Sequence, residues 1–102
     1  MAQITKEGSR WLVSGSMDIQ QVELMLAEKA IFNAIHEVEI DLSGVSNVET
    51  ATISLLFEWL RQARHSKCNL TYTNPPQKLV DLATLYGVLE LIPLVPGSEV
   101  TH

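Results

Sequence analysis

A chain of 102 residues holds about one small domain, able to bury roughly 60 to 65 % of the surface its unfolded form would expose, and leaves no room for a second. Its net charge of −5, with only seven Lys and Arg, provides no basic patch dense enough to neutralise a run of phosphates or to hold an acidic membrane surface; neither nucleic acid nor direct membrane insertion is expected. Apolar residues at 46 % with few Gly and Pro point to an ordinary globular domain, and the lone Cys68 excludes an internal disulfide and suits a buried thiol in the reducing cytoplasm.

The N-terminus lacks the basic-then-apolar pattern of a signal peptide, and no apolar run approaches the ~20 residues that span a bilayer. Any place at the inner-membrane face is therefore expected to come through a partner. Gln3 to Thr5 reads as a short strand, Lys6-Glu7-Gly8-Ser9 as a hairpin turn, and Arg10 to Ser14 as a second strand that Gly15 and Ser16 break. Asp18 followed by Gln21 is a capping box for a helix over about 19–33, with Val22, Met25, Leu26 and Ala30 as its buried stripe.

From His36 the period changes to two. Val38, Ile40 and Leu42 alternate with Glu37, Glu39 and Asp41 as in a strand with one buried face, which Ser43-Gly44 is expected to stop. Thr50 to about His65 returns to helical period, with Ile53, Leu56, Phe57, Leu60 and Ala63 on one face. Asn69 to Thr73 alternates as another strand, ended by Asn74-Pro75-Pro76. A helix over about 77–86 would bury Leu79, Val80, Leu82, Ala83 and Tyr86, with Gly87 ending it in a left-handed conformation. Leu91 to Leu94 reads as a final short strand, and residues 96–102 as a loose tail after a single domain over 1–95. The order ββαβαβα(β) predicts an α/β fold: a hairpin opening into a mixed, largely parallel sheet with helices packed against it.

This order, joined to Ile-Asp-Leu-Ser-Gly-Val-Ser-Asn-Val-Glu-Thr at residues 40–50, resembles the STAS family, shared by sulfate transporters and anti-sigma factor antagonists. Its signature is matched by Asp41 to Gly44, Glu49, Thr50, Ala51-Thr52 and Leu55-Leu56, with Glu49 where Asp is usual and Ala51-Thr52 in place of the common small or glycine pair. The later stretch from Leu79 to Val88, with its Leu-Ala-Thr-Leu-Tyr, looks most like the stand-alone STAS subunit of the Mla phospholipid-transport ATPase. The resemblance implies an accessory protein that binds and supports the cytoplasmic ATPase of a phospholipid-transporting ABC complex. The alternative it implies is an anti-sigma factor antagonist whose phosphorylation releases a kinase-like anti-sigma factor.

Thr50 is accordingly the candidate phosphoacceptor and partner contact. It is also a good helix N-cap, and these roles can coexist. At 100° per residue, Thr52, Leu55 and Trp59 fall at the edge of the predicted buried sector or beyond it, adjoining one another beside Thr50. Either a broad core absorbs Trp59 and Leu55 is one of the leucines scattered on protein surfaces, or Thr52, Leu55 and Trp59 form with Glu49 and Thr50 a small hot spot for a protein partner, which is the expected interface. No chemistry is expected of the chain: the histidines lie far apart without metal-ligand spacing, Asp41 and Glu49 lack a nucleophile, and Gly44 alone makes no phosphate loop. Neither cofactor nor metal is implied, and the chain is not expected to be an enzyme.

Overall fold

The computed structural model describes residues 3–26 and 36–95. Strands β1 (Gln3–Glu7) and β2 (Arg10–Met17) form the opening hairpin, and α1 (Ile19–Leu26) leads to β3 (Glu37–Val48). Then come α2 (Thr50–His65), β4 (Asn69–Thr73), α3 (Gln77–Leu85), a 3-10 turn at Leu89–Leu91 and β5 (Leu94–Val95). The sheet has the order β1-β2-β3-β4-β5; the hairpin is antiparallel and every later pairing parallel, as the alternation of elements predicts. Asp18 caps α1 through its carboxylate, which accepts the Gln21 N–H at 3.0 Å. The second half of the predicted first helix, Ala30 included, and the predicted tail lie outside the described residues.

Helix α2 packs between α1 and α3, so the helices form one layer, and β2 and β4 meet that layer from beneath. Trp11 and Val13 of β2, Val38, Ile40 and Leu42 of β3, and Leu70 and Tyr72 of β4 are buried with Val22 and Met25 of α1, Leu56 of α2, and Leu79 and Ala83 of α3. The period-two pattern of the sequence selects this face. The Tyr72 hydroxyl donates to the Leu56 carbonyl at 2.7 Å, satisfying its polar end deep in the core. Cys68 is buried as expected, and burial pushes its thiol pKa up.

Three strands run past their predicted ends, β1 by Lys6 and Glu7, and β2 and β3 by more. Neither Gly15-Ser16 nor Ser43-Gly44 stops its strand; both sit at shifts of register between β2 and β3, where one strand bulges against the other. Gly44 is needed there for space: a Cβ on it would lie 2.8 Å from the Ser14 Cβ. The bulge keeps β3 paired through Val48 and delivers the chain directly to α2, with no intervening loop of the kind expected.

Two smaller expectations are corrected near the C-terminal end. Tyr86 is not core but half-exposed, and the last strand begins at Leu94, because a 3-10 turn occupies Leu89–Leu91. The cause is a Schellman turn at the end of α3. Gly87, at φ +71, reverses the chain while the Val88 N–H donates to Ala83 at 2.9 Å and the Gly87 N–H to Thr84 at 3.0 Å. Tyr86 is the cap residue and so leaves the helical period that its burial was read from.

Candidate functional site

The junction of β3 and α2 is built by Thr52. Its hydroxyl accepts the Glu49 N–H at 3.0 Å and donates to the Met17 carbonyl at 2.9 Å, so one buried side chain ties the start of α2 to the end of β2. Glu49 occupies the N-cap position in extended conformation, and Thr50 is the first helical residue. Thr50 is therefore freed from the capping role its sequence position suggested. Its hydroxyl shares a hydrogen bond of 3.0 Å with the Tyr86 hydroxyl, on the exposed surface.

The expected interface of Thr52, Leu55 and Trp59 is corrected by burial: Thr52 is 3 % exposed, Leu55 0 % and Trp59 1 %. No partner reaches them while the domain is folded. The buried arc of α2 runs from Leu55 through Trp59, Ala63 and Leu56 to Ile53, about 160° wide, and is turned by roughly 60° from the predicted sector. Apolar side chains cover still more of the helix than this arc, with Phe57 at one edge of them and Ala51, then Leu55, at the other. Packing against the neighbouring elements decides between the edges. It takes in Leu55 and Trp59 and leaves Phe57 only half-buried.

Of the expected contact residues, Glu49 and Thr50 remain on the surface. The structure brings Tyr86 to them, with Leu85 beside it in the chain and 75 % exposed. Sequence reasoning missed this pair by assigning Tyr86 to the core of α3. The available signal was Gly87: a tyrosine just before a left-handed glycine stands at a helix end, where a wet hydroxyl is easily accommodated.

Asp41, the other signature carboxylate, does a structural task on the sheet face opposite the helices. One oxygen accepts the Ser43 N–H at 2.9 Å and the Asn74 amide at 3.2 Å, while the other pairs with Arg10. Arg10 also reaches Glu39 at 3.4 Å, and Glu39 accepts the Thr73 hydroxyl at 3.1 Å. Burial raises the Asp41 pKa, but the Ser43 N–H, the Arg10 guanidinium and the Asn74 amide outweigh it and hold the carboxyl at about 2. A carboxylate so fully occupied is a poor general base. Among the described residues no group of three or more His, Cys, Asp or Glu is placed to hold a metal ion, and no helix is long and apolar enough to cross a membrane.

A hairpin-led parallel sheet with one helical layer, and an exposed threonine opening the central helix, define a STAS fold. The family model described as "Mlab, STAS domain" matches residues 1–96, and the chain belongs to that family. Its structure is similar to that of the anti-sigma factor antagonist SpoIIAA in its unphosphorylated form, with a TM-score of 0.73 and 14 % identity over 97 % of this chain and 90 % of that one. No curated protein sequence matches the chain. STAS domains are protein-binding modules and are generally non-catalytic.

Proposed function

We propose that this protein is a non-catalytic accessory subunit that binds the ATPase of a phospholipid-transporting ABC complex and supports its assembly or activity from the cytoplasmic face of the membrane. The observation that carries this reading is the Thr50–Tyr86 hydrogen bond. It joins Glu49-Thr50, from the STAS signature, to the Leu-Ala-Thr-Leu-Tyr stretch on which the likeness to Mla subunits rests. Two stretches, 36 residues apart at this contact, thus form one exposed corner. The match to the family model described as "Mlab, STAS domain" is in keeping with this reading. Such a subunit acts by binding the competent arrangement of the ATPase better than the others, which shifts the population toward it.

In this reading Glu49, Thr50, Leu85 and Tyr86 touch the partner, while Thr52, Leu55 and Trp59 hold the helix that presents them. Co-expression with the ATPase tests it. The wild-type chain is expected to co-purify with the ATPase and raise its hydrolysis rate, and a Thr50→Lys/Tyr86→Ala double variant is expected to do neither while retaining its circular dichroism spectrum. Absence of any ATPase complex with the wild-type chain would refute the proposal.

A second reading is favoured by the exposed Thr50 hydroxyl together with the fold shared with SpoIIAA. Phosphate on Thr50 would meet the positive end of the α2 dipole and add nearly two negative charges beside Glu49. In this partner-switching reading, an anti-sigma factor kinase binds unmodified Thr50 and releases the phosphorylated form. Phosphothreonine at position 50 in protein from the native host, with capture of such a kinase in place of an ATPase, would favour it over the first.

A further inference from the structure

The solvent side of α2 continues from the Thr50 corner into a second feature. Thr50, Ser54, Phe57, Arg61 and Arg64 fall within about 80° of arc on one stripe of the helix. All are exposed except Phe57, which is half-buried. Two contacts join the segment after α3 to this stripe: Tyr86 stands against Thr50 at one end, and Leu91 lies with Phe57, Leu60, Arg61 and Arg64 around a groove of about 280 Å³ at the other. Thr50 and Arg61 are about 16 Å apart along the helix axis, so the two ends are within reach of a single bound segment.

Charge selects the occupant. The chain carries −5 overall, yet Arg61, Arg64 and Lys67 follow one another at intervals of three residues and are all exposed. Glu58 engages Arg61 through two hydrogen bonds, and Arg64 makes no ion pair among the described residues. The groove floor is apolar, and Leu91 at its rim is 62 % exposed on a short turn that spends no core contact on it. A guanidinium beside an aromatic and two leucines suits an apolar anchor followed by a carboxylate.

We propose that the groove between α2 and Leu91 seats a segment of the partner ATPase in which an apolar side chain is followed by one or two Asp or Glu. The anchor sits between Phe57 and Leu91, and the acidic residues lie on Arg61 and Arg64. This rests on the ATPase-binding reading and extends its surface by three turns of α2, to a region that the signature residues do not touch. A bilayer is the poorer occupant, because the site is concave and the rest of the acidic domain would be repelled by anionic lipid.

Binding of purified ATPase to the wild-type chain, to Arg61→Glu/Arg64→Glu and to Leu91→Ser, at about 50 mM and about 300 mM salt, tests the proposal. All the substituted side chains are exposed, and circular dichroism verifies that each variant is folded. The charge variant is expected to bind at least about tenfold more weakly at low salt, with a smaller deficit at high salt, and Leu91→Ser to lose affinity at both. Unchanged affinity and salt dependence in both variants, with a wild-type chain that binds, would overturn this inference and leave the ATPase reading standing. A wild-type chain that fails to bind the ATPase would overturn both. Vesicles of phosphatidylethanolamine and phosphatidylglycerol are the control: binding to them that the charge variant abolishes, with ATPase affinity unchanged, would assign the stripe to lipid and overturn the proposal.

Discussion

Thr50 and Thr52 are two positions apart and do opposite things. Thr52 is a buried latch whose hydroxyl serves two backbone groups, whereas Thr50 points outward to Tyr86. Replacing Thr52 by Val leaves the Met17 carbonyl and the Glu49 N–H without that partner and is expected to cost roughly 1 to 3 kcal/mol. Thr50→Val, which loses one solvent-accessible bond, is expected to change stability by no more than about 0.5 kcal/mol. Urea denaturation of the two variants distinguishes them; equal losses would refute the division of roles.

Asp41 makes the stability of the fold sensitive to acid. Its folded pKa of about 2 lies below the ordinary 3.8, so its contribution is complete above about pH 4 and is lost as pH falls toward 2. Because Arg10, its ion-pair partner, is half-exposed, screening reduces the value of this shift to roughly 1 to 2 kcal/mol. Asp41→Asn is expected to be less stable than wild type by that amount at pH 7, with the gap closing near pH 2. Denaturation midpoints across this range measure it, and a gap independent of pH would count against the assignment.

At the scale of the element, α2 shows why an apolar pattern can be right about a helix and wrong about its face. Its limits, Thr50 to His65, follow from the helical period, and they agree with the structure. The orientation did not follow, because apolar side chains cover so wide an arc that either Phe57 or the Leu55–Trp59 edge could turn outward. Trp59, read as a surface anchor, is among the largest fully buried side chains. Trp59→Ala is accordingly expected to cost about 3 to 5 kcal/mol and to impair partner binding only through loss of fold. A stable, folded Trp59→Ala protein that no longer bound its partner would restore the original surface assignment. The strands teach a similar lesson: Gly and Ser pairs in β2 and β3 are strand-breakers in isolation, but here they sit at bulges that a neighbouring strand holds in register.

For the molecule as a whole, strands added in sequential order through crossovers of one hand keep the helices in one layer, leaving a polar opposite face where Arg10, Glu39, Asp41 and Thr73 satisfy one another. The proposed partner surface is the outward side of the helical layer. There the middle helix offers Thr50 at its start and Arg61 and Arg64 near its end, with Tyr86 and Leu91 alongside. Neither end of that surface is marked by a motif that spans it.

Local order determined much of this protein by itself. The alternation of Val38, Ile40 and Leu42, the helical period after Thr50, the Asp18 cap and the left-handed Gly87 each act over a few residues, and so the element order and the parallel sheet could be read directly. The signature residues Asp41 to Thr50 likewise pointed to the family. Only tertiary structure decided which apolar residues of α2 are core, that Thr52 bonds to Met17 across 35 positions, and that Tyr86 comes to lie on Thr50. Those outcomes depend on neighbours distant in the chain. Burial is a property of the completed layer, and no period within a single helix encodes which of its two apolar edges the neighbouring elements will cover.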